Sequence, residues 1–229
     1  MDNSRQDLLA GIYSRLIDKF GHRRWWPGET ADEVVIGAIL TQSVSWRNVE
    51  KAIDNLKKDN LLSLKAIENS SVSRLASLIH PTRFYNEKAR KLKNFTKWFF
   101  SKYQGSFELM FSREVDKLRQ EMLDINGLGE ETVDSILLYA GNKMAFVIDA
   151  YTIRIMTRLG IAEDTWKYRE YQRLFMDNIE KDVGLYNDFH AQMVKLGHVY
   201  CRKNSPLCPQ CPLQDLCHYV ISFPTPQVV

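Results

Sequence analysis

Two groups of residues in this chain have the types and spacing to do chemistry. One is a carboxylate, Asp149, reached through the apolar run Met144 to Ile148; the other is a set of four cysteines confined to positions 201–217. An acid delivered by an apolar run sits where its surroundings can tune it for catalysis. It also sits where it can cap the helix predicted over 150–159. Cys201, Cys208, Cys211 and Cys217 are spaced C-x6-C-x2-C-x5-C, and Pro206, Pro209 and Pro212 exclude helix between them. Four thiolates so close in sequence can converge on one metal centre, and the spacing alone suits zinc as well as an iron-sulfur cluster. A third feature precedes the acid. Asn126-Gly127-Leu128-Gly129 joins two helical patterns, Val115, Leu118, Met122 and Leu123 before it and Val133, Ile136, Leu137 and Ala140 after it. Glycines at 127 and 129 permit a tight turn, and Leu128 can pin that turn to a core. Backbone N–H groups at the start of the second helix then offer a seat for a phosphate or a cation-bridged backbone, although the same sequence also suits an ordinary helix hairpin.

The elements that must position these residues read as all-α. Apolar periodicity predicts helices over 6–20, 46–57, 86–103, 150–159, 168–181 and 188–202, with one or two short ones within 62–79. Thr30 and Glu33 form a capping-box pattern ahead of Val34 to Leu40. The helix over 86–103 carries Lys88, Arg90, Lys91, Lys93 and Lys97 on what reads as a solvated face, opposite Phe95, Trp98 and Phe99. A basic and aromatic loop, His22 to Gly28, contains Trp25 and Trp26, and the tail after Ile221 reads as irregular. No segment alternates as a strand. A chain of 229 residues can bury a sizeable core as one domain or two packed lobes. Its net charge of +3 is compatible with a nucleic-acid partner without identifying one. The chain has no bilayer-length apolar run and no signal-peptide core, so a soluble cytoplasmic protein is expected. Clustering of all the cysteines favours one local metal site over a disulfide framework.

Leu123, Ile125 and Asn126-Gly127-Leu128-Gly129, followed by Val147-Ile148-Asp149 and Arg154, resemble the helix-hairpin-helix and catalytic-aspartate pattern of the endonuclease III superfamily of DNA glycosylases. The cysteine spacing matches the iron-sulfur loop of that superfamily. Trp25-Trp26-Pro27, Leu40-Thr41-Gln42 and Pro81 to Asn86 are most similar to its 3-methyladenine glycosylase III branch. The resemblance implies two helical lobes, 29–145 with the hairpin at about 113–141, and 1–28 plus 146–229 with the cluster loop. It implies a monomer acting on double-stranded DNA that contains a damaged base, with Asp149 facing the groove between lobes. A [4Fe-4S] cluster on Cys201, Cys208, Cys211 and Cys217 would hold Arg202 and Lys203 against DNA phosphate. Gly127, Leu128 and Gly129 would grip the DNA backbone, and Gln42 falls at the position of the superfamily's wedge residue, although it also suits a helix-terminal polar residue.

A glycosylase must turn the nucleotide out of the stack before it can reach the N-glycosidic bond. Trp25, Trp26, Trp46 and Tyr151 are the candidates to stack on such a base, and an indole face favours a cationic alkylated purine; Trp25 and Trp26 could equally pack as core. Asp149 is the candidate to stabilise the sugar cation and orient the attacking water. Bifunctional members carry a lysine two residues after the second hairpin glycine, where this chain has Glu131, so strand cleavage through an imine is not expected. His190 and His198 read as packing or phosphate contacts, and they and Lys195 stay outside the catalytic set. The sequence therefore favours a monofunctional glycosylase for alkylated purines. The alternatives are an endonuclease III-like glycosylase and AP lyase for oxidised pyrimidines or mismatches, and a non-catalytic iron-sulfur DNA-binding module.

Overall fold

The computed structural model describes residues 3–23 and 25–222. Arg24 of the basic loop and the tail beyond Ser222 lie outside the described residues. In chain order the helices are α1 (Asn3–Phe20), α2 (Ala31–Leu40), α3 (Trp46–Lys58), α4 (Leu64–Asn69), α5 (Val72–Leu78), α6 (Tyr85–Tyr103), α7 (Phe107–Phe111), α8 (Val115–Leu123) and α9 (Glu130–Ser135). Then come α10 (Ala150–Leu159), α11 (Tyr168–Met176), α12 (Val183–Val199) and α13 (His218–Ser222). No strand occurs among the described residues, so the chain is all-α. It divides into two compact units, Trp26–Lys143 and Met1–Trp25 with Met144–Val229.

In the unit formed by Trp26–Lys143, α2 is apolar all round, and every residue from Glu33 to Leu40 is buried. A helix with no polar stripe has to lie inside. Thr30 caps it by accepting from the Glu33 N–H at 3.2 Å. Glu33 does not close the expected capping box; its carboxylate accepts from the Glu29 N–H and pairs with Lys57 at 3.1 Å. The largest departure from expectation is α6. Three of its five basic residues are not a solvated face. Lys88 is buried and donates to the carbonyls of Leu40 (2.8 Å) and Thr82 (2.5 Å). Lys93 donates to the carbonyls of Ile67, Glu68 and Ser70, and Lys91 to the side-chain oxygen of Gln42. The ammonium groups of Lys88 and Lys93 lie at the C-terminal ends of α2 and α4, where a positive charge complements the helix dipole.

In the other unit α12 is buried against α10 and α1. It begins at Val183, earlier than its apolar period indicates, because Asp182 caps it by accepting from the Leu185 N–H at 2.7 Å. The run Ala145 to Ile148 is buried and extended yet pairs with no strand. Helix α11 satisfies it instead: Gln172 donates to the Phe146 carbonyl at 2.8 Å, and the Tyr168 hydroxyl accepts from the Ile148 N–H at 3.2 Å. Phe146 stacks on Phe175 with centroids 4.1 Å apart and meets Tyr186 and Phe189 edge-on. Burial of such rings stabilises by about 1.5–3 kcal/mol each, enough to fix where this run ends. It ends on Asp149.

Candidate active site and nucleic-acid interface

Asp149 is 8 % exposed and caps α10, its Oδ1 accepting from the Thr152 N–H at 2.7 Å. Its other oxygen faces His190 Nε2 at 3.8 Å, and His190 is itself buried on α12. Burial alone would raise this carboxyl. The imidazole beside it and the hydrogen bonds of Thr152 outweigh that penalty and hold Asp149 below its ordinary value, so it is ionised at neutral pH. A helix cap normally lies in solvent; this one is a buried carboxylate with a histidine against it. On sequence His190 reads as a packing or phosphate contact; forty-odd residues separate it from Asp149, and no local pattern marks such a pair.

The hairpin runs from α8 through Asp124 to Gly129 into α9. Gly127 has φ +98°, open to glycine at little cost, and a Cβ there would lie 2.5 Å from Lys91 Cγ. Leu128 is 7 % exposed and plugs the turn into the core, whereas a Cβ at Gly129 would meet nothing within 4 Å. The turn is braced from outside: Asn94 donates to the Asn126 carbonyl at 3.1 Å, and Gln42 donates to the Gly127 carbonyl at 3.3 Å and Thr132 Oγ1 at 2.9 Å. Gln42 is thus attached to the hairpin. Across the hairpin, Arg119 forks onto Asp134 at 2.6 and 2.9 Å and reaches Glu130 at 3.1 Å. Glu131 is exposed in the first turn of α9. Beyond Ser135 the helix widens into a π turn, Ile136–Ala140.

The aromatic residues fall into different surroundings. Trp26 meets Trp46 edge-on at 5.2 Å and Tyr139 at 5.3 Å, and lies over Gly37. Trp46 donates to Glu50 at 3.0 Å. Trp26 and Trp46 border a pocket of about 130 Å³ that is also lined by Glu33, Glu50 and Asp54. Trp25 follows a loop fixed by α12, where Asp188 accepts from Tyr13 (2.7 Å) and the Arg23 N–H (2.6 Å). Tyr151 packs α10 on α12: a Cβ at Gly197 would lie 2.4 Å from its ring, and Arg154 sits 5.1 Å above it. Tyr139 carried no signal beyond helical periodicity. Phe84 was noted only as part of a motif, yet it is 59 % exposed with φ +49°, next to Arg83 with φ +56°. Two consecutive non-glycine residues in this region are uncommon and strained, and such strain concentrates at working sites.

Among the described residues, no group of three His, Cys, Asp or Glu is arranged to hold a metal ion. The four cysteines still share one partly buried loop. Burial pushes the Cys211 thiol up to about 11, with Cys201, Cys217 and Cys208 adding to the rise. Thiols that oppose one another's ionisation in this way suit a cationic centre that would hold them as thiolates. Arg158 secures the loop, donating to Cys201 Sγ at 3.4 Å and to the carbonyls of Arg202 (2.7 Å) and Lys203 (3.1 Å). Arg202 and Lys203 are exposed. Arg154 donates to the Cys201 carbonyl at 2.8 Å, joining the loop to the helix that Asp149 caps.

Helices throughout, a glycine-turned hairpin and a buried capping acid define a helix-hairpin-helix protein of the DNA-repair type. Residues 36–181 match the HhH-GPD superfamily of base excision DNA repair proteins, and the chain belongs to it, as a DNA glycosylase of the endonuclease III superfamily. A protein of Methanocaldococcus jannaschii, named by inference as a DNA repair glycosylase, is 46 % identical over 95 % of this chain and 99 % of its own. The Helicobacter pylori 3-methyladenine DNA glycosylase, solved with 1,N6-ethenoadenine, is 29 % identical with a TM-score of 0.74, covering 85 % of this chain and 97 % of that one. A trapped endonuclease III–DNA intermediate superposes with a TM-score of 0.81 at 21 % identity, over 95 % of this chain and 97 % of the other, a likeness of fold alone. No helix among the described residues is long and apolar enough to cross a membrane.

Proposed function

We propose that this glycosylase is monofunctional and removes alkylated purines from duplex DNA, with Asp149 as the catalytic carboxylate. The observation that carries the reading is the buried, ionised Asp149 held by Thr152 and His190. As the glycosidic bond breaks, positive charge develops on the sugar, and a fixed carboxylate shielded from water stabilises it and orients the attacking water. Glu131 in place of the lyase lysine supports water as the nucleophile, since a carboxylate forms no imine. Exposed backbone at Gly129 suits a hairpin that grips phosphate, and the braces from Gln42 and Asn94 keep it in shape. Phe84, an exposed ring on strained backbone, suits an apolar wedge at a base step. Trp26 and Trp46, beside Glu50, offer an electron-rich corner that favours a cationic base over its neutral parent. The ethenoadenine bound by the Helicobacter pylori relative is consistent with a modified purine.

Cys201, Cys208, Cys211 and Cys217 would hold a [4Fe-4S] cluster in this reading, favoured by the all-sulfur donor set and by the likeness to endonuclease III. The cluster would supply a structural tie for the loop carrying Arg202 and Lys203 to DNA phosphate.

Duplexes carrying one lesion each, incubated with the enzyme and analysed with and without alkali, test the proposal. Base release is expected from alkylated purines, with strand breaks appearing only after alkali. Strand cleavage without alkali, or release confined to oxidised pyrimidines, would overturn it.

A further inference from the structure

We infer that His190 is a positioning residue for base excision: its buried imidazole is the partner that holds the Asp149 carboxylate in its working orientation and charge state. The inference rests on the proposed role of Asp149. The two groups are 4 % and 8 % exposed, belong to different elements and face each other at 3.8 Å. Thr152 fixes Oδ1 through its backbone N–H, which leaves Oδ2 to be aimed by His190. Nε2 is the ring atom on that side, at ion-pair distance from the carboxylate.

Several charged and titratable groups on the packed elements are engaged elsewhere. On α12 itself, Asp188 accepts from Tyr13 of α1, His22, Arg23 and Gln192. On α10, Arg154 reaches the carbonyls of Gly197 and Cys201, with Tyr151 beneath it. On α11, the Tyr168 hydroxyl accepts from the Ile148 N–H, one residue from the acid. Burial works against the Asp149 charge, and the imidazole is the leading influence that offsets it. Removing the imidazole therefore raises the carboxyl and starves the reaction of ionised Asp149 first at low pH.

Single-turnover excision is to be measured against pH for the wild type, His190→Gln and His190→Ala, together with DNA affinity and thermal midpoints. The acid limb is expected to move up in both variants, with a roughly tenfold slower rate on that limb and affinity within about twofold. Gln retains an N–H donor without the charge, so it separates charge from geometry. A second measurement needs no change at 190: the ¹⁵N-detected titration of the His190 ring in wild type and in Asp149→Asn, where the cap hydrogen bond survives. The ring's response is expected to differ between the two proteins. Unmoved acid limbs in folded variants, or an unmoved His190 titration, would overturn the inference while an inactive Asp149→Asn left the reading of Asp149 intact. Wild-type excision by Asp149→Asn would overturn both.

Discussion

Lys88 shows how far a single side chain can depart from its sequence label. Its ammonium lies 2 % exposed on two carbonyl oxygens, and burial, reinforced by Lys91, lowers it to about 8. Between about 8 and its ordinary 10.5, the unfolded chain binds this proton more tightly than the folded one, so Lys88 makes stability rise with pH across that window. Denaturant midpoints of the wild type should therefore gain on those of Lys88→Met from pH 8 upward; a constant difference would contradict this. Lys88→Ala should cost on the order of 3 kcal/mol at neutral pH, because it leaves a void and two unpaired carbonyls. None of this was legible in the sequence, where the run of basic residues within 86–103 reads as a solvated stripe. Asp149 was legible because capping and an apolar approach are local signals. Its partner His190 was not, because only tertiary packing brings α12 to it.

At the scale of elements, the hairpin was read from two glycines and two helical periods, and these are what form it. What holds it rigid came from the structure. Arg119 is 3 % exposed and bridges α8 to α9 through Asp134, which is fully buried. Breaking one side of such a pair leaves an uncompensated charge inside, so Arg119→Met should destabilise by about 3–5 kcal/mol and loosen DNA binding. Arg119→Met with Asp134→Leu should recover most of that stability, read from urea midpoints. Equal losses in the single and double variants would show that the pair is not what braces the hairpin. The π turn at Ile136–Ala140 left no trace in the periodicity, since Val133, Ile136, Leu137 and Ala140 keep the spacing of an ordinary helix. Helix ends were read less well than helix interiors: α11 stops at Met176, short of the expected 181, and α12 starts at a cap where no apolar period had begun.

Across the whole molecule, the all-α class and the superfamily were both readable, because helical periodicity is continuous along the chain and the hairpin, acid and cysteines keep their spacing. A net charge of +3 explains little of this; the functional groups are a few residues on well-fixed elements. The hairpin belongs to the unit Trp26–Lys143, and Asp149 to the other, five residues past Met144 where that unit resumes. On the proposed reading excision draws on two kinds of chemistry in one chain, backbone capture and charge stabilisation, and only the second should fail when the carboxylate is neutralised. The most direct measurement is single-turnover release of an alkylated purine by Asp149→Asn beside the wild type, with DNA affinity measured on the same preparations. Asparagine can still cap α10, so fold and affinity should be retained while release slows by about 10²–10³-fold. Release within a few-fold of wild type by the folded variant would contradict the account.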